Sequence, residues 1–108
     1  QLAIQDGKSG TDANVPVEFT IGNPYPNPFN GIIQFSLYMM KESPVSINVI
    51  DLSGKQISRI YNGNLSIGNH NFSWQGKNAS GRSVSSGVYY IKVSGKSTEE
   101  WRPVTFVK

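Results

Sequence analysis

The chain has 108 residues, with ten Lys and Arg against seven Asp and Glu, a net charge of +3 and no cysteine. That length supplies one domain with one core. The missing thiols exclude a disulfide scaffold, thiolate zinc or iron–sulfur sites and Cys nucleophiles, and a single His excludes a multi-His metal centre. The bases are dispersed from Lys8 to Lys108 without a run, so nothing in their spacing points to nucleic acid. No apolar stretch approaches the ~18–20 residues of a membrane-spanning helix. The chain begins at Gln1 without a signal stretch and reads as a piece of a longer protein.

Ser (14), Gly (11) and Asn (10) punctuate short apolar runs, and no stretch keeps a helical i, i+3, i+4, i+7 period. Alternation with period two recurs instead, which places apolar side chains on one face of a strand. In chain order the expected strands carry Val15, Val17, Phe19 and Ile21; then Ile33, Phe35 and Leu37; then Val45, Ile47 and Val49. Ile57 to Tyr61 is a shorter, weaker candidate. His70, Phe72 and Trp74 follow, then Tyr89, Ile91 and Val93, and Val104 with Phe106 closes the series.

The breaks fall between these runs. Pro24, Pro26 and Pro28 donate no ladder hydrogen bonds and force an extended crossing, with Phe29 tucked into the core. Lys41 to Pro44 reads as a hairpin connection, and Asp51-Leu52-Ser53-Gly54 as a turn with Gly in the left-handed region. Asn62-Gly63 carries a tight-turn signal. Gln75 to Ser86 is a long polar loop containing Gly76 and Gly81, and Ser94 to Glu100 is another turn. Gly87 reads as a bend that admits a close backbone approach. The pattern predicts an all-β fold, an immunoglobulin-like antiparallel β-sandwich of residues 15–108, with residues 1–14 as a linker. The expected core is Phe19, Phe29, Ile33, Phe35, Leu37, Val45, Ile47, Val49, Phe72, Trp74, Tyr89, Ile91, Val93, Val104 and Phe106.

Three motifs stand in order: Pro24-Tyr25-Pro26-Asn27-Pro28-Phe29-Asn30; Val45 to Ile57, with Asp51-Leu52-Ser53-Gly54 inside it; and Gly68 to Tyr90, containing Trp74-Gln75-Gly76 and Gly87-Val88-Tyr89. Together, over roughly residues 19–108, they resemble the C-terminal sorting domain of the type IX (Por) secretion system. They are also similar to the immunoglobulin-like domain of flagellar hook-capping proteins. The resemblance implies about seven strands and a non-catalytic module at the end of a larger secreted bacterial protein. Its role there would be to direct export through the outer membrane and attachment at the cell surface of a Gram-negative bacterium. It implies an upstream cargo domain and, as partners, the outer-membrane secretion machinery and its sortase. The structural motif residues carried over are Pro26, Asn27, Pro28, Phe29, Gly54, Trp74, Gly76, Gly87 and Tyr89. The family's loop often reads Trp-Asp-Gly with a second Asp, whereas this chain has Gln75 and Asn78 there. Amides in place of carboxylates argue against calcium in that loop, and no cofactor is expected.

Other residues carry less chemistry. His70 has no second His to pair with and reads as a strand residue. Ser85-Ser86-Gly87 lacks the strand-to-helix context of a nucleophile elbow, so no enzyme activity is expected of the module. Asn64-Leu65-Ser66, Asn71-Phe72-Ser73 and Asn78-Ala79-Ser80 match glycosylation acceptors by composition and are assigned no role. Val104 to Lys108 reads as a half-buried last strand; the resemblance, together with the unpaired outer backbone groups of a last strand at a sheet edge, also implies that Val104, Phe106, Val107 and Lys108 are the residues the translocon recognises. A second reading is a carbohydrate-binding or spacer module accompanying a glycoside hydrolase. Trp101, Tyr61, Tyr38 and Tyr90 would then be surface aromatics and a polysaccharide the partner.

Overall fold

The computed structural model describes residues 17–108, so the segment read as a linker, residues 1–14, and the first expected strand residue, Val15, lie outside the described residues. Seven strands form: β1 (Phe19–Ile21), β2 (Ile33–Met39), β3 (Ser43–Asp51), β4 (Gln56–Leu65), β5 (Gly68–Trp74), β6 (Gly87–Ser94) and β7 (Glu99–Phe106). They pair antiparallel in two sheets, ordered β1-β2-β5 and β4-β3-β6-β7. This is an immunoglobulin-like β-sandwich, with its core drawn from the inward residues of both layers.

The alternation explains the layers. In β2 the odd positions Ile33, Phe35, Leu37 and Met39 are buried, and in β6 Tyr89, Ile91 and Val93 are buried. Fourteen of the fifteen expected core residues are buried; the exception, Phe72, is half-buried on β5 and packs on Phe35 and Tyr61. A sheet-edge strand has a neighbour on one side only, so its inward side chains keep some contact with water.

Three local expectations are corrected. Val17 is 53% exposed while Glu18 is 1% exposed, so the strand begins at Phe19 and its predecessor turns the carboxylate inward. The weak strand at Ile57 to Tyr61 extends through Leu65, and Asn62-Gly63 lies inside it, paired with Ser46 and Val45. The turn into β5 falls at Ser66-Ile67 instead. β4 is an edge strand with register shifts opposite Ile47/Asn48 and Val49/Ile50, and such shifts break the strict alternation that the sequence pattern relies on. Gly87 pairs with Phe106 in the ladder and has no atom within 4 Å of the place of a Cβ, so no close approach on that side requires a glycine.

The strand ends define two poles. Val17, Glu18 and the turns at 40–42, 66–67 and 95–98 share the amino-terminal pole. The turn at 51–55, the loop 75–86, the crossing 22–32 and the end of β7 share the opposite one.

Candidate functional site

The carboxyl-terminal pole is built around aromatic rings. Phe29 packs on Trp74 at 5.6 Å and on Phe106 at 5.1 Å between centroids, and Trp74 meets the edge of Tyr89 at 5.3 Å. The Trp74 indole donates to the Lys77 carbonyl at 2.9 Å and the Tyr89 hydroxyl to the Ser85 carbonyl at 2.7 Å. Each ring therefore buries its body while its polar tip holds the 75–86 loop. Gly76 is required here: its φ is +71°, and a Cβ would lie 2.6 Å from the Phe106 ring. Val84, half-hidden in a polar stretch of sequence, is buried beneath this loop, its amide bonded to the Gly76 carbonyl.

Residues 18–29 run beside this end strand along its full length. At the amino-terminal pole the Glu18 carboxylate accepts from the amides of Lys96, Ser97 and Thr98 and from the Ser43 hydroxyl. Burial alone pushes that carboxyl up, but these donors outweigh it and hold it below its ordinary 4.5. Midway, Arg102 donates to the Ile21 carbonyl. At the carboxyl-terminal pole the Asn27 side chain donates to the Pro103 carbonyl and accepts from the Thr105 amide, at 3.1 and 2.9 Å. Phe29 bridges the end of β7 in parallel, its amide on the Thr105 carbonyl and its carbonyl on the Val107 amide, both 2.9 Å. The outer edge of β7 over Pro103, Thr105 and Val107 is thus covered. The expectation of unpaired outer groups there is corrected, because an Asn side chain and one extended residue supply what a neighbouring strand would.

The expected recognition residues separate accordingly. Val104 and Phe106 are core, at 0% and 4% exposure, whereas Val107 is 46% exposed and Lys108 is exposed, its amide bonded to the Ser86 hydroxyl. Of the motif residues, Pro26, Asn27, Pro28 and Gly54 are exposed, Phe29, Trp74, Gly76 and Tyr89 are buried, and Gly87 is half-buried. An open groove of about 640 Å³ lies between the Pro-rich crossing and the chain end, walled by Pro26, Pro28, Phe29, Ile32 and Val107.

Around the same pole the chain builds one turn twice. In Asp51-Leu52-Ser53-Gly54-Lys55 the Asp51 carboxylate accepts from the amides of Ser53 and Lys55 and from the Ser53 hydroxyl. In Asn78-Ala79-Ser80-Gly81-Arg82 the Asn78 amide oxygen accepts from the corresponding groups of Ser80 and Arg82. Gly54 and Gly81 sit at φ +90° and +84°, the left-handed geometry glycine adopts at no steric cost. The hydroxyl of Ser53 and the Lys55 amide keep the Asp51 carboxyl below its ordinary 3.8. The second turn is tied to β4, the strand that follows the first, by the Ala79 amide on the Ile57 carbonyl, 3.0 Å. The residue order Asx-x-Ser-Gly-base was visible twice in the sequence as the signal for this pair.

The aromatics considered for sugar stacking do not share a plane. Tyr90 and Trp101 meet at 74°, with Lys92 over the Trp101 ring at 5.2 Å. Tyr61 packs on Phe72, and Tyr38 belongs to the other sheet. His70 contacts the Ser66 carbonyl at 2.8 Å and has no acidic neighbour among its hydrogen-bond partners in the described residues.

Two antiparallel layers, with the first segment crossing from one sheet to the edge of the other, define an immunoglobulin-like module. The FlgD Ig-like domain family matches residues 27–99, and the chain belongs to that family. Among solved structures it is similar to dimeric latent PorU from Porphyromonas gingivalis, with a TM-score of 0.66 and 12% identity over 86% of this chain and 10% of that one. The chain therefore spans about a tenth of the PorU chain's length, and the likeness is one of fold. No curated protein matches the sequence.

Proposed function

We propose that this chain is a non-catalytic sorting module of a larger secreted protein. It would direct its cargo through the outer membrane by type IX secretion and hold it at the cell surface. The observation that carries the reading is the carboxyl-terminal pole. There the Pro-Asn-Pro-Phe crossing and the last residues of the chain are bonded into one surface, with Val107 and Lys108 displayed beside it. The ordered motifs across residues 19–108 and the immunoglobulin-like fold support it. The outer-membrane secretion machinery and its sortase would read this pole, and the cargo would precede the module in the same chain.

The test is export of a reporter. A fluorescent protein placed before residues 1–108, in a bacterium that has the type IX apparatus, reaches the cell surface or the medium. The same reporter without the module stays in the periplasm. Equal export of the two fusions overturns the proposal.

A further inference from the structure

Of the ten asparagines in the chain, Asn30 and Asn62 are followed by glycine. An Asn side-chain carbonyl can close a five-membered ring on the next residue's backbone nitrogen, and a following glycine leaves that nitrogen unshielded. The flanks of the two pairs are closely alike, Phe29-Asn30-Gly31 and Tyr61-Asn62-Gly63, so local sequence gives them similar reactivity. The fold separates them. Gly63 is paired with Val45 inside β4, and a Cβ placed on it would meet the Tyr61 hydroxyl at 3.2 Å. The ladder holds Asn62 extended, away from the compact backbone that ring closure needs. Asn30 and Gly31 instead lie between Phe29, whose amide and carbonyl are both bonded to the end of β7, and Ile33, where β2 begins. Both are exposed and outside any strand, and no atom lies within 4 Å of the place of a Gly31 Cβ. Neither the Gly31 amide nor the Asn30 side chain has a hydrogen-bond partner among the described residues. Other asparagines are hindered in their own ways. Asn23 and Asn27 precede prolines, which have no N–H. The Ala79 amide after Asn78 is bonded to the Ile57 carbonyl. Asn48, Asn64, Asn69 and Asn71 stand in strands before larger side chains.

We infer that Asn30-Gly31 is a site of spontaneous covalent modification, at which a neutral amide in the groove wall converts to an acid. The Gly31 backbone nitrogen gives up its proton to solvent and attacks the Asn30 side-chain carbonyl carbon. A new C–N bond forms, the bond to the side-chain nitrogen breaks, and that nitrogen takes a proton from solvent and leaves as ammonia. Water then opens the cyclic imide at one of its two carbonyls, leaving an aspartate or an isoaspartate at position 30. One water is consumed and one ammonia released, with no change of oxidation state. Ring closure needs the deprotonated backbone amide, so the rate rises with pH. Asn30 and Gly31 both line the groove beside Pro28, Phe29 and Val107. The product therefore sets a carboxylate in that wall, and its isoaspartate form adds a backbone methylene between Phe29 and β2. Phe29 is fixed on the end of β7 and Ile33 opposite Trp74, which confines the change to this corner of the molecule. This chemistry depends on the fold alone and not on the sorting function.

The test is incubation of the folded 108-residue chain at neutral and at mildly alkaline pH, with proteolytic peptides followed by mass spectrometry. Fragment ions assign each amide-to-acid mass gain to its residue. The gain at Asn30 should be at least about fivefold faster than at Asn62, because reaction at Asn62 waits on local opening of β4. It should be faster at the higher pH. In urea, with the ladder gone, the two sites should react at similar rates, and Asn30 should stay close to its rate in the folded chain. Gly31→Val shields the nitrogen at an exposed position with free space around it, and should abolish the gain at Asn30. A superimposable melting curve confirms that this variant is folded. Three results overturn the inference: an Asn30 that stays intact in the folded chain while reacting in urea, equal rates at the two sites in the folded chain, or a gain at Asn30 undiminished by Gly31→Val.

Discussion

Glu18 is the residue on which the amino-terminal pole turns. A carboxylate at 1% exposure would be costly without partners, and here three consecutive amides and a hydroxyl supply them. The space is matched to it: a Cβ on Gly95 would collide with the Glu18 carboxylate and the Phe19 ring. Glu18→Gln keeps the size but turns an amide NH₂ toward N–H donors, and should cost about 1–3 kcal/mol in chemical denaturation. The bonded form is the ionised one, and its folded pKa is lowered from 4.5. The stabilisation is therefore complete above the unfolded value and is lost as pH falls below it through the folded value. Wild type should lose stability on acidification in that window. The Gln variant should lose less over the same range, and matching acid profiles of the two would contradict the role given to this carboxylate.

At the scale of elements, β7 is an edge strand that the preceding segment has covered. Asn27 contributes two of the bonds along that edge, and both sit where water can compete. Asn27→Ala should therefore cost only about 1–2 kcal/mol. It should sharply raise hydrogen exchange at the Thr105 amide, which Asn27 accepts from, while leaving Val107, bonded to Phe29, protected. Exchange at Thr105 unchanged by the substitution would show that another group covers the edge. The strands with two neighbours, β2, β3 and β6, were legible because apolar and polar residues alternate through Ile33 to Tyr38, Val45 to Val49 and Val88 to Val93, even though Asn48 in β3 is itself buried. The edge strand β4 was not, since its register shifts and half-exposed residues blur the period, and Asn62-Gly63 carries turn chemistry inside a strand. The covering role of Asn27 was not legible either. A side chain standing in for a strand leaves no periodic trace, and Glu18 occupied what alternation marked as an outward position.

For the whole molecule, the two poles differ in kind. The amino-terminal pole is tied internally by Glu18, while the carboxyl-terminal pole presents an open groove with Val107 and Lys108 exposed beside it. Under the proposed sorting function, recognition would fall to this folded surface and not to the sequence of the last strand, because Val104 and Phe106 are buried in the core. A core substitution such as Trp74→Ala, expected to cost about 3–5 kcal/mol, would abolish any function by unfolding and so distinguishes nothing. The direct measurement is surface export of the reporter fusion carrying Val107→Gln with Lys108→Ala, two exposed positions whose replacement should leave the melting curve unchanged. At least a fivefold fall in export from a fully folded variant is predicted. Undiminished export from that variant would contradict the claim that this pole is what the secretion machinery reads.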